Sequence, residues 1–423
     1  MKRRKFIKLT STASAAGLLP IQLNTSFKFL NNFSNCDFSN RKIVLIELAG
    51  GNDGLNTVIP LDVYSDYVQM RPTLHVPSSN ALHLNTIDSS IQGTNQDIAF
   101  HPAFSGMYNL FDQDQLHIIQ SVGYPSQNKS HFASIDIYNT GNDGNNWNNG
   151  QGSGWMGRFL ENHHSDLFPT NFPMGIQIGS PNTSLGFHGE NEHGLAINLS
   201  GQDSENFYSI LSGLSGQYPT NFPDSHYGTE LQYIVDTDAV SNIYAQVISD
   251  SFNNGSNFSG SNYPDNDLAD QLKTVARLIR GGIETKVYLV RLGGFDTHNN
   301  QVQGAGDLQG NHYDLLDELS TAVEAFMTDL NFDSVGDDVV GITISEFGRK
   351  AKENGSFGTD HGEVAPVFVF GKPVQSGISG VNVDFSESTQ NNNYQIKTVQ
   401  FDYRQSLATL MQDFLGSDSS SIN

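Results

Sequence analysis

Val339-Val340-Gly341-Ile342-Thr343-Ile344-Ser345-Glu346-Phe347-Gly348-Arg349 and, a few residues later, Gly358-Thr359-Asp360-His361-Gly362-Glu363-Val364-Ala365-Pro366-Val367-Phe368-Val369-Phe370-Gly371 decide the fold. Two apolar runs rich in β-branched residues bracket a loop that holds Glu346, Asp360 and His361. Runs that are apolar nearly throughout read as strands covered on both faces. A buried strand that ends in a carboxylate, followed by a loop with an Asp-His pair, is how an α/β sheet places ligands beyond its carboxyl edge.

Working outward, residues 313–330 form an amphipathic helix, with Leu315, Leu316, Leu319, Val323, Phe326, Met327 and Leu330 on the core side. Before it, residues 286–292 read as a strand that runs into Gly293-Gly294-Phe295-Asp296-Thr297-His298. Asp296 and His298 are two apart, so an extended backbone projects both to one side, as a pair of metal ligands requires. A helix is predicted over 268–283. At the other end of the chain, residues 42–48 form an apolar strand that enters Ala49-Gly50-Gly51-Asn52-Asp53. Asp53 there is either a ligand at a strand end or a turn residue bonded to its own backbone. Residues 116–122 make a further strand, and a helix starts near Ser130. Two readings stand for Ser130: a helix cap, or a nucleophile at the positive end of the helix dipole. A final helix is expected over 403–415, and a helix over 100–111. Residues 174–262 are the least legible, with one short strand at 174–178 and loops above the sheet.

Strands alternating with helices in this order predict an α/β fold: a mostly parallel sheet sandwiched between helices, with long loop insertions. The expected organisation is a signal over 1–20, a linker over 21–40, a single α/β domain over 41–416 with a loop-rich insertion around 141–265, and a tail over 417–423.

Composition narrows the function. The 423 residues carry a formal net charge of -23, a field that repels nucleic acid and anionic lipid. The single cysteine, Cys36, excludes an intrachain disulfide and a site of several thiolates. The start, Met1-Lys2-Arg3-Arg4-Lys5-Phe6, leads into a short apolar run that ends at Pro20 and is too short to span a bilayer. It has the pattern of a secretory signal, and its paired arginines resemble a twin-arginine signal. The twin-arginine export machinery is therefore an expected partner, and the expected location is periplasmic or secreted. The sequence sets no oligomeric state.

Asp53, Asp296 with His298, Glu346, and Asp360 with His361 thus all lie at strand ends or in adjoining loops. Oxygen and imidazole ligands without thiolate suit a divalent metal: Zn, Mn, Mg or Ca, with histidine favouring the first two.

These segments, together with Gly50-Gly51-Asn52-Asp53-Gly54-Leu55-Asn56, Ser130-His131-Phe132 and Asp402-Tyr403-Arg404-Gln405, resemble the domain of unknown function 1501 family. Its members are exported bacterial proteins related to the alkaline phosphatase and sulfatase superfamily. The resemblance runs from about residue 41 to 416. It implies an alkaline-phosphatase-like fold, Asp53 as a strand-end metal ligand and Ser130 as the nucleophile. It also implies further ligands at Asp296, His298, Glu346 and His361. One departure is Glu346-Phe347, where phosphatases carry Asp-His and sulfatases Asp-Asn. Another is Cys36, which is misplaced for a sulfatase formylglycine.

Two functions follow as expectations. The first is an exported metal-dependent hydrolase of phosphate or sulfate esters, acting on a small-molecule or polysaccharide ester. The alternative is a non-catalytic exported binding protein on the same fold with a structural metal site.

Overall fold

The strands of the central sheet are β1 (Lys42–Leu48), β2 (Leu116–Gly123), β3 (Gly175–Ile178), β4 (Ala196–Leu199), β5 (Val287–Leu292), β6 (Val339–Ile344), β7 (Ala365–Phe370), β8 (Gly377–Ser379) and β9 (Phe401–Asp402). Their order is β8-β2-β7-β6-β1-β5-β3-β4, with β9 also paired to β2. The computed structural model describes residues 29–31, 38–84, 87–88, 95–145, 152–164, 170–179, 185–190, 196–199 and 221–417. The expected signal over 1–20, Cys36 and all but the first residue of the tail lie outside them.

The sheet is mostly parallel. β1 pairs in parallel with both β5 and β6, in registers that bring Leu48 opposite Leu292 and Glu47 opposite Ile344. Three adjacent strands therefore end at one level. β7 departs from the parallel pattern, running antiparallel to both β6 and β2. The chain between β6 and β7 accordingly leaves and re-enters the sheet on the same edge, and this return loop carries Glu346, Asp360 and His361.

The helices longer than a single turn are α1 (Tyr64–Met70), α2 (Ser105–Asp112), α3 (His131–Thr140), α4 (Trp155–His163), α5 (His226–Asn254), α6 (Asp267–Arg280), α7 (Asn311–Asn331) and α8 (Tyr403–Thr409). Alternation along the strands divides them into two layers. Val44, Ile46 and Leu48 of β1 point to one face with Tyr288 and Val290, where α2, α6 and α7 pack. Ile43 and Leu45 point to the other with Leu289 and Ile342, against α3, α4 and α8. Cover on both faces is why these strands lack a polar period. Each fully buried large apolar side chain adds about 1.5–3 kcal/mol. A third cluster, including Leu55, Ile59, Tyr67 and Ala351, seats α1 above the strand ends.

Local chemistry accounts for the helix boundaries. Asn266 caps α6 through Ala269 N at 2.8 Å, and the helix has Asp267 and Asp270 in its first turn and Arg277 and Arg280 in its last, matching the macrodipole. Asp402 and Gln405 form a capping box at α8, so the closing Asp-Tyr-Arg-Gln motif has a structural task. Beyond α8 the chain continues as a π-helical turn, Leu410–Phe414.

Two expectations needed revision. The helix predicted over 100–111 begins only at Ser105, because Phe100 belongs to a small sheet with Val58–Pro60 and Leu82–His83. The segment expected to be loops contains α5, 29 residues long. Its Ser-, Thr-, Asp- and Asn-rich sequence gives weak helix propensity, and no apolar stripe announced it.

Candidate metal centre

The site is built where β1, β5 and β6 end. Gly50 follows β1 with φ +121°, and a Cβ there would lie 2.2 Å from Asp296 N, so the β1 and β5 loops touch backbone to backbone. Gly50 N donates to Glu346 Oε1 at 2.8 Å, which joins the β6 loop to the pair. Arg349, buried, then clamps all of them. Its Nε donates to Gly51 O at 2.8 Å, its Nη1 to Thr359 O at 2.8 Å, and its Nη2 to Phe295 O and Asp296 Oδ1, both at 2.8 Å, and to Gly50 O.

His131, Asp296 and His361 each offer a ligand atom, and these atoms all lie within 4.8 Å of one another. Asp296 Oδ1 is 3.0 Å from His361 Nε2 and 3.2 Å from His298 Nε2, and its Oδ2 is 3.5 Å from His131 Nε2. The outward nitrogens are committed elsewhere. His361 Nδ1 lies 2.8 Å from the Lys129 carbonyl, which can only accept, so that nitrogen carries the proton. His131 Nδ1 lies 2.9 Å from Glu346 Oε1. Fixing Nδ1–H on a carbonyl or carboxylate leaves Nε2 as the ligand atom, the usual arrangement around a metal-bound imidazole. His361 Nε2 and His298 Nε2 stand only 2.9 Å apart, a distance that requires a shared proton or a cation beside them. The donor set therefore fits one divalent ion with nitrogen and oxygen ligands, of the Zn²⁺ or Mn²⁺ kind.

Electrostatics agree with this geometry. Burial opposes ionisation of Asp296, but the His361 imidazole and the Arg349 guanidinium beside it outweigh that and hold the carboxyl at about 2. The hydrogen bond to Glu346 raises His131 above the usual histidine range, whereas burial lowers His361.

The remaining sequence candidates fall around this set. His298 is at its edge, with Nδ1 3.4 Å from Asp360 Oδ1. Asp360 itself is held by Lys350 at 3.0 Å, so it stands behind His298. Glu346 orients His131, and its Oε2 is buried with no hydrogen-bond partner among the described residues. Phe347 forms a wall for two imidazoles, its ring centroid 4.4 Å from that of His361 and 5.0 Å from that of His131.

Asp53 lies apart from the three clustered ligands. Fully buried, its Oδ2 is 2.6 Å from Arg71 Nη1 and 2.5 Å from Gln301 Nε2. Burial raises its pKa, but the Arg71 charge and hydrogen bond prevail and keep it low. Arg71 follows α1, is itself fully buried, and also reaches Lys350 O and Ala351 O in the site hairpin, the antiparallel pair Arg349–Glu353 and Thr359–His361 within the return loop. Its guanidinium supplies the positive charge that Asp53 needs.

Ser130 is the N-cap residue of α3, exposed, with no side-chain cap bond. Its hydroxyl is not spent on the helix and stands one residue from His131. His131, Arg349 and Arg71 are the residues that sequence reasoning missed. Only the Ser-His-Phe and Ser-Glu-Phe-Gly-Arg motifs pointed at the first two.

Beside Glu346 a cavity of roughly 30 Å³, also lined by Tyr138, Trp155 and Leu407, receives Glu47. Burial pushes Glu47 up from 4.5 to about 7, against the opposing charge of Arg291 3.6 Å away. A carboxyl raised on folding contributes stability that is full below 4.5 and is lost as pH rises through 7. Glu47→Gln is therefore expected to match wild-type stability near pH 4.5 and to exceed it at pH 8, by up to about 3 kcal/mol at 1.36 kcal/mol per pH unit. Urea melts at the two pH values test this, and parallel profiles would refute it.

Residues 265–415 match the family described as "Protein of unknown function (DUF1501)", which bears out the family resemblance over that span. No curated protein matches the chain in sequence. Solved structures show distant likeness. A protein in the alkaline phosphatase superfamily from Vibrio parahaemolyticus aligns with TM-score 0.33 and 10% identity over 90% of this chain and 72% of its own. The C-terminal periplasmic domain of EcEptC from Escherichia coli, in complex with Zn, gives 0.35 and 11% over 94% and 88%. The PsFucS1 sulfatase from Pseudoalteromonas sp. gives 0.37 and 10% over 90% and 68%.

Proposed function

We propose that this chain is an exported, metal-dependent hydrolase of phosphate or sulfate esters, with a small-molecule or polysaccharide ester as substrate. The observation that carries this reading is the His131–Asp296–His361 cluster, in which both imidazoles are fixed through Nδ1 and turn Nε2 toward one carboxylate. A divalent cation held there would polarise an ester oxygen and offset the charge that develops on it.

The chain's own residues have separate tasks. Glu346 and the Lys129 carbonyl orient the two rings, and Arg349 keeps Asp296 ionised. Ser130 is the nucleophile. Its Oγ forms a bond to phosphorus or sulfur as the bond to the alcohol oxygen breaks. The Ser130 proton passes to solvent, and the departing alkoxide takes one from water. A second water then attacks phosphorus or sulfur, breaking the bond to Ser130 Oγ and releasing inorganic phosphate or sulfate as Oγ regains a proton. The N-terminal end of α3 favours the negative charge that gathers there. Ser130→Ala is expected to lower kcat on an aryl phosphate or aryl sulfate by about 10³-fold or more, with the metal content unchanged. A variant that turns over at the wild-type rate would remove Ser130 from the mechanism.

The alternative, a non-catalytic binding protein with a structural cation, is favoured by one feature: Asp53 Oδ2 pairs with Arg71, which leaves one candidate cation cluster among the described residues. It predicts cation-dependent melting with no turnover of any ester. Export rests on the Arg3-Arg4 pattern. Lysine at both positions is expected to retain the protein in the cytoplasm, and unchanged fractionation would exclude the twin-arginine route.

A further inference from the structure

Two aromatic side chains stand in water on the segments that carry the centre. Phe132, next to His131, is 81% exposed, and Phe357, three residues before Asp360, is 39% exposed. Among the described residues only five large apolar side chains are this exposed. One of the others, Phe332, is accounted for by stacking on Phe258 at 4.0 Å.

Phe132 occupies the water side of the first turn of α3, on the same face as exposed Asp136 one turn later, while Ala133, Ser134 and Ile135 face inward. Phe357 sits at φ 52°, a left-handed backbone that is unfavourable for a bulky residue. The turn is pinned around it. Asn354 N donates to Gly358 O at 2.9 Å, and Gln301 N to Phe357 O at 2.9 Å. Asn354 Nδ2 donates to His298 O at 2.8 Å, which ties the turn to the centre. Strain of this kind persists only where surrounding bonds hold it, and it is found more often near functional sites. Exposed aromatic faces beside a polar site are platforms for flat, C–H-rich rings.

We infer that Phe132 and Phe357 form the rim that recognises the alcohol part of the ester, stacking on an uncharged ring while the phosphate or sulfate faces the centre. The ring is either aryl or the C–H face of a sugar. The net charge of -23 disfavours a polyanionic alcohol part. This inference rests on the ester-hydrolase reading and adds to it the chemistry that the site selects.

Binding of non-hydrolysable analogues tests it without relying on turnover. Calorimetry on the Zn²⁺- or Mn²⁺-loaded full chain compares phenylphosphonate with methylphosphonate, and benzenesulfonate with methanesulfonate. The expected result is a preference for the phenyl compound of about tenfold or more in at least one pair. That preference should fall below about threefold in Phe132→Ala/Phe357→Ala, persist in Phe132→Tyr, and persist in Phe332→Ala, which removes an exposed ring elsewhere. Equal binding of the phenyl and methyl compounds by wild type would overturn the rim while leaving the anion site intact. A preference that survives the double substitution would do the same. Failure of all four compounds to bind would overturn the hydrolase reading and the rim with it. Melting temperatures of the variants, measured alongside, separate lost recognition from lost fold.

Discussion

Asp296→Asn and His361→Ala are each expected to weaken Zn²⁺ or Mn²⁺ binding by about 100-fold or more, since each removes or neutralises one of three ligands that lie within 4.8 Å of one another. The two changes differ in their side effects. Asparagine at 296 keeps the acceptor for Arg349 at 2.8 Å but removes the negative charge that offsets the cation. Alanine at 361 removes an imidazole that also packs on Phe347 at 4.4 Å. Glu346→Gln is a milder case, because Glu346 holds His131 at 2.9 Å and acts through it. Loss of such an outer partner costs about 10–100-fold in affinity. Competition titration with a chelating dye gives the ranking. Equal affinities in wild type and His361→Ala would show that the cluster holds no ion.

Arg71→Met is the substitution with the largest expected effect on stability. Arg71 and Asp53 are both fully buried, 2.6 Å apart, and the guanidinium also satisfies Asn56 Oδ1, Lys350 O and Ala351 O. Methionine fills the volume but leaves Asp53 charged and unpaired in the interior, a loss of about 3–5 kcal/mol. Asp53→Asn added to Arg71→Met should recover part of this, because the orphaned charge is then gone. Chemical denaturation of the four proteins in the cycle measures the coupling. A double variant no more stable than Arg71→Met alone would mean that Asp53 is not the partner that matters.

Much of the fold was legible because burial on both faces leaves a mark in local sequence. β1, β5 and β6 read as apolar runs, and α6 and α7 as apolar stripes, within a few residues of their observed bounds. The placement of Asp296 and His361 was legible for a related reason: each sits just past an apolar run or just before one, at the strand ends where an α/β sheet builds its sites. The direction of β7 was not legible, since a Val/Phe-rich run looks the same in either orientation. His131 was missed because a histidine in the first turn of a helix has no distinguishing pattern. Its partner, Glu346, lies 215 residues away.

The assignment of roles also depended on distant partners. Asp53 at a strand end looks like a ligand until Arg71, 18 residues later, is seen against it. Phe347 looks like a missing ligand until its ring is seen against His131 and His361. Arg349 shows the same limit. Local sequence places it after Gly348, and only the folded chain reveals that it binds the loops after β1 and β5 and the site hairpin together.

The most direct measurement is the metal content of the full chain, purified without chelator and then dialysed against metal-free buffer, determined by elemental analysis beside the His131→Ala/His361→Ala variant. The centre described here predicts close to one Zn or Mn per wild-type chain and essentially none in the variant. A folded wild-type protein that holds no divalent metal, and takes none up when Zn²⁺ or Mn²⁺ is added back, would contradict it.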